Sequence, residues 1–138
     1  MKRTLIALLL AAMALPAGIA LAAKLTGPSK ARVGQTVSVK ATGLKAGRYT
    51  LTLVTDNPPG QRSACVARLA GPRSASAGKL SLSGAIPRKL QCWENDSVKL
   101  GTVKVTPGPY HLVVAVPDGP SGFSAKHSFV RRALTIKR

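Results

Sequence analysis

The stretch VGQTVSVKATGLKAGRYTLTLV, residues 33–54, decides the fold. Val37, Val39 and Ala41 alternate with Ser38, Lys40 and Thr42, which predicts a strand over 36–42 with one buried and one wet face. The chain then turns over Gly43 to Gly47. A second strand over 48–55 sets Tyr49, Leu51 and Leu53 on one face and Thr50 and Thr52 on the other.

The same grammar continues downstream. Asp56, Asn57, Pro58, Pro59 and Gly60 end the second strand, because tandem prolines remove ladder donors and fix the backbone. A third strand over 64–70 carries Cys65, Ala67 and Leu69. The loop Gly71 to Gly78 leads to a fourth over 79–87, where Leu80, Leu82 and Ile86 stand against Lys79, Ser81 and Ser83. From Pro87 to Pro109 the pattern is less regular. Its parity flips at Gly101, between Leu100 and Val103, which predicts a bulge or turn there. Tyr110, Leu112, Val114 and Val116 mark a strand over 110–116, and Leu134 and Ile136 close a last one over 127–137, with a bulge at Phe129 and Val130. No stretch has helical spacing. Short strands broken by Pro and Gly at close intervals predict an all-β fold, an antiparallel sandwich of about seven strands.

Residues 33–54, PGPYHLVVAV at 107–116 and the terminal ALTIKR resemble the first and last strands of bacterial immunoglobulin-like domains. That resemblance implies an immunoglobulin-like β-sandwich and says little about function. The turn GLKAG at 43–47 is also similar to one in the neocarzinostatin-type apoproteins, secreted sandwiches that carry a small chromophore. This chain departs from them in having one cysteine pair and a strongly basic charge.

The N-terminus reads as an address. Met1, Lys2 and Arg3 precede an unbroken apolar run from Leu5 to Leu15, and Pro16 and Gly18 break it before Ala20, Leu21 and Ala22. These are the parts of a secretory signal peptide over residues 1–22, leaving a β-sandwich domain over 23–138 and a secreted or periplasmic destination. The competing reading is an uncleaved anchor, since Thr4 to Ala23 is just long enough to span a bilayer. Cys65 and Cys92 form an even pair in an exported chain, which predicts a disulfide. With the strands alternating in direction, both cysteines come out at one end of the sandwich. For their spacing the chain-entropy argument gives a stabilisation of about 3–4 kcal/mol.

Charge is the strongest compositional signal. Twenty-one Lys and Arg oppose four Asp and Glu in 138 residues, a formal charge of +17, and loss of residues 1–22 removes only Lys2 and Arg3. Such a surface favours anionic partners. Strand alternation sorts the charges into two ends. Lys45, Arg48, Arg73, Lys79 and Lys126 approach one of them, with Arg131 and Arg132 nearby; Asp56, Glu94 and Asp96 fall with the disulfide at the other. The candidate anion-binding set is Lys45, Arg48, Arg73, Lys126, Arg131 and Arg132. The plain alternatives are solvated strand faces that block aggregation, and an acidic habitat in which carboxylates contribute little charge.

Other candidates are weaker. Trp93 offers an aromatic platform, against the reading that it packs over the disulfide sulfurs. Asp56, Glu94 and Asp96 form an oxygen-rich set, but their spacing fits no compact calcium loop and turn chemistry explains them. His111 and His127 stand in no recognisable nucleophile motif, and with two cysteines they make no metal site by spacing. No catalytic residue, metal or cofactor is therefore expected. Five aromatic residues that do not interleave with the cations argue against nucleic-acid reading.

The leading expectation is an exported, non-enzymatic cationic domain on an anionic envelope polymer or membrane surface. A structural or protein-interaction subunit using its strand edges, and a small-ligand carrier, are the alternatives.

Overall fold

The computed structural model describes residues 22–55, 63–95, 97–117, 120–121 and 128–138. Ten strands and no helix occur among them: β1 (Lys24–Thr26), β2 (Lys30–Arg32), β3 (Thr36–Thr42), β4 (Arg48–Thr55), β5 (Ser63–Ser74), β6 (Leu80–Ala85), β7 (Lys89–Glu94), β8 (Val98–Lys104), β9 (Gly108–Ala115) and β10 (Ser128–Lys137). They form a three-stranded sheet in the order β1-β3-β6 and a seven-stranded sheet in the order β2-β10-β9-β4-β5-β7-β8. All pairings are antiparallel except β2 with β10.

The expected sandwich is present, with more strands than the seven read from the sequence. Three of the additions are strands whose burial leaves no periodic signal. β1 and β2 are three residues each, too short for a period to register. β8 is exposed along its whole length, so burial imposes no alternation on it. The strand expected over 64–70 also runs on to Ser74, through a cis Gly71–Pro72 bond and two register shifts against β4.

The core follows the alternation. Val37, Val39 and Ala41 of β3 and Leu80 and Leu82 of β6 face Tyr49, Leu51 and Leu53 of β4, Leu112 and Val114 of β9, and Leu134 and Ile136 of β10. Ile86 and Val105 plug the turns beside them. Both tyrosines anchor their hydroxyls four residues back: Tyr49 donates to the Lys45 carbonyl at 2.7 Å, and Tyr110 donates to the Thr106 carbonyl at 2.9 Å while accepting the Thr106 N–H. A phenol can be buried at these corners because its polar end is satisfied there.

The other face of β4 is also covered. Thr50 and Thr52 are each 1% exposed, beside a second apolar cluster of Val54, Val66, Val113 and Ala115. Thr50 donates to the Ala115 carbonyl at 3.3 Å, whereas Thr52 Oγ1 is buried with no partner.

Both predicted bulges occur. Gln91 pairs with Thr102 and Trp93 with Lys99, so Leu100 and Gly101 together oppose Cys92. Phe129 is the extra residue between the pairs Ser128–Ala115 and Val130–Val114.

Candidate functional site

Cys65 and Cys92 stand directly opposite each other in the β5–β7 ladder and are joined by the disulfide. Neither Cys is free, which is consistent with an oxidising environment. The bond fastens the β7–β8 hairpin to β5, in the stretch from Pro87 to Pro109 whose pattern is less regular in the sequence. Cys65 packs against the inner core. Trp93, the next residue after Cys92, therefore points to the opposite side of the sheet, half-buried on the second cluster with Val54 and Val66. It does not cover the sulfurs, as the plainer expectation had it.

The turn cations come together in part. The turns at 43–47 and 75–79 are cross-linked by backbone bonds, Leu44 N–H to the Gly78 carbonyl at 3.1 Å and Ala75 N–H to the Gly47 carbonyl at 3.1 Å. Lys45, Arg48, Arg73 and Lys79 are exposed around this link. Arg48 lies opposite Ser74 and Tyr49 opposite Arg73, so the two arginines leave the same end of the β4–β5 ladder from opposite faces of the sheet. Their guanidinium groups donate to backbone carbonyls: Arg48 Nη2 to Pro72 at 3.5 Å and Arg73 Nη1 to Ser81 at 3.3 Å. A carbonyl orients the cation without cancelling its charge. Arg73 also lines a groove of about 360 Å³ between β5 and β6, with Ser81 and Ser83.

The remaining members of the set are elsewhere. Lys126 lies outside the described residues. Arg131 is exposed on β10 opposite Val113, which in turn pairs with Thr52; this row is four residues along β4 from Arg48. Arg132 has the opposite parity, is half-buried, and donates from Nε to the Pro28 carbonyl at 3.4 Å. It ties β10 to the segment ahead of β2 and does not join the turn cations.

Of the acidic set expected at the disulfide end, Glu94 is there, opposite Ser63 and two residues along β7 from Cys92. Glu94 is the only acidic side chain among the described residues, since Asp56, Asp96 and Asp118 lie outside them. At the other end of the β7–β8 ladder from Glu94, Arg88, Lys89 and Lys104 line a groove of about 430 Å³ with Val33 and Val105. Lys89 and Lys104 are directly opposite in the β7–β8 ladder, and Arg32 is opposite Lys137 in the β2–β10 ladder. Like charges so placed repel. The sequence reading missed this group because it did not resolve β7 and β8 as paired strands; the alternation of Lys89, Gln91 and Trp93 against Leu90 and Cys92 was the available signal.

Among the described residues no three His, Cys, Asp or Glu side chains converge on one point. His111 is half-buried on β9 opposite Val54 and Ala133, and His127 lies outside the described residues.

No protein-family model and no curated protein matches the chain. Among solved structures it is similar to a superoxide reductase (neelaredoxin) from Ignicoccus hospitalis, at 8% identity over 85% of this chain and 81% of that one, with a TM-score of 0.37. A substituted form of the same protein matches at 10% identity over 84% and 78%, with a TM-score of 0.35. The expectation that the chain is not an enzyme is corrected by this finding, because both similar proteins are named as enzymes. Lack of a motif in the sequence does not exclude catalysis on such a fold. A likeness of this size carries no activity over to the present chain.

Proposed function

We propose that this chain is an exported immunoglobulin-like sandwich that associates electrostatically, through its cationic turns, with an anionic polymer of the cell envelope such as lipopolysaccharide or teichoic acid. The observation that carries the reading is that Lys45, Arg48, Arg73 and Lys79 share one end, where the two arginines donate to carbonyls and no described carboxylate lies among them. Acidic polymers bind to such arrays by neutralisation, and the binding weakens steeply as salt rises. The immunoglobulin-like part is supported by the two-sheet architecture and by Tyr110, whose hydroxyl returns to the backbone at the start of β9 as in a tyrosine corner. Export to the periplasm or beyond is supported by the pattern of residues 1–22 and by the disulfide.

Retention on immobilised heparin and on anionic vesicles tests it. The mature chain should be held at low salt and released as salt rises. The quadruple variant Lys45→Glu, Arg48→Glu, Arg73→Glu, Lys79→Glu should elute at much lower salt than an equally charged quadruple variant at Lys24, Lys40, Lys99 and Lys137. Retention no stronger than that of a neutral sandwich, or equal loss in both variants, would refute the turn site.

A further inference from the structure

β8 ends the strand order of the seven-stranded sheet, and all seven of its residues are exposed. Four large apolar residues are exposed among the described residues, and three of them are here: Val98 at 53%, Leu100 at 41% and Val103 at 43%. Register shows that they share a side. Val103 is opposite Leu90, a core residue, and Val98 is opposite Glu94, which has the same parity as Leu90 and Cys92; the bulge at Leu100 and Gly101 keeps Leu100 on that side too. The seven-stranded sheet therefore overhangs its three-stranded partner, and β8 continues the apolar face of the core past its cover. Lys99 is opposite Trp93 and Lys104 opposite Lys89, so both lysines belong to the other side. An edge strand with an open apolar side and a cationic side is a template for strand addition.

The other edges differ. β1 and β2 are three residues long, and β6 lies against β5 where Gly84 meets the Leu69 carbonyl. β8 is also held still. Its hairpin partner β7 is disulfide-bonded to β5, and the Gln91 amide donates to the Leu100 carbonyl at 2.6 Å and the Gly101 carbonyl at 3.2 Å, bracing the bulge. A fixed edge loses little conformational freedom when a strand docks.

We infer that β8 is a docking edge for an extended segment of a partner protein whose residues alternate between apolar and acidic. Its apolar side chains would extend the row of Val98, Leu100 and Val103, and its carboxylates would face Lys99, Lys104 and Lys89. Charge complementarity selects this occupant. A second copy of the chain would set the same lysines against one another, in a molecule with 21 cations and four acids. The inference does not rest on polymer binding at the turns.

The test uses the mature chain and a capped hexapeptide of alternating Glu and Val, with a Lys–Val peptide as the control, read by NMR titration and amide exchange. Saturable binding of the Glu–Val peptide, new exchange protection within 98–104 and at least tenfold weaker binding of the Lys–Val peptide are expected. Gly101→Pro, at a position where an added Cβ would have nothing within 4 Å, should weaken binding at least tenfold. Leu100→Ser, an exposed change that leaves the ladder intact, should weaken it severalfold, and it decides the matter if the proline variant does not fold. No saturable binding, equal affinity for the two peptides, or perturbation confined to Arg48 and Arg73 overturns the inference. So does a dimer of the wild-type chain that Leu100→Ser dissociates, which would mean that a second copy covers the edge.

Discussion

At Gly84 the two sheets come so close that a side chain has no room. A Cβ there would collide with the Leu69 carbonyl oxygen and crowd the Leu69 Cβ, and both belong to a strand held by its own ladder to β4. Gly101 is the opposite case, since a Cβ would meet nothing within 4 Å. Gly84→Ala should therefore destabilise the fold by about 1–3 kcal/mol, the usual cost of overpacking, while Gly101→Ala should stay within about 0.5 kcal/mol of the parent. Urea unfolding of the two variants checks this, and equal midpoints would show that β6 does not close on β5 as described. From the sequence alone these glycines look alike, because each interrupts a strand. The residues that pack by alternation, such as Val39, Leu53 and Leu112, were legible from their neighbours. What Gly84 touches is 15 residues away in the chain and left no local trace.

Elements with one wet face were readable in full; of the two kinds that depart from this, β4 was read as a strand over 48–55 but not as buried on both faces, and β8 was not read as a strand. β3 alternates strictly between exposed and buried, so its polar residues announce its outer face. β4 is buried on both faces, and Thr50 and Thr52 resemble solvent-facing residues although they are buried beside a second cluster. β8 fails in the opposite way, with neither face buried. The β7–β8 hairpin is joined to the rest of the sheet over a short ladder, from Ser63–Glu94 to Val66–Gln91, and the disulfide falls within it. Replacing both cysteines, Cys65→Ala with Cys92→Ala, should cost about 3–4 kcal/mol by chain entropy. It should also act locally: amides of β7 and β8 should exchange faster than those of β4 and β9, which are flanked by strands on both sides. Uniform acceleration across all strands would show that the hairpin is not a separately opening unit.

Over the whole molecule the cations are spread across both ends and the outer faces, and repulsion among them opposes folding. Lys89 against Lys104 and Arg32 against Lys137 are directly opposed pairs of this kind, and neither has an acidic side chain among the described residues to offset it. Raising sodium chloride from about 10 to 150 mM shortens the Debye length from about 30 to 8 Å and should relieve this repulsion. A gain of about 1 kcal/mol would appear as a rise in Tm of about 4 °C for a domain of this size. A flat or falling Tm would mean that the cations are spaced too widely to repel. The same measurement separates two origins of the charge. If an anionic polymer is the partner, heparin at fixed ionic strength should raise Tm further, by mass action on the folded state, because its charges are held at the turns and do not merely screen. If the scarcity of acids only reflects an acidic habitat, heparin should do no more than chloride does. Repeating the titration in the variant reversed at Lys45, Arg48, Arg73 and Lys79 then assigns any extra rise to the turn end. An increment that survives those substitutions would move the polymer site to the groove of Arg88, Lys89 and Lys104.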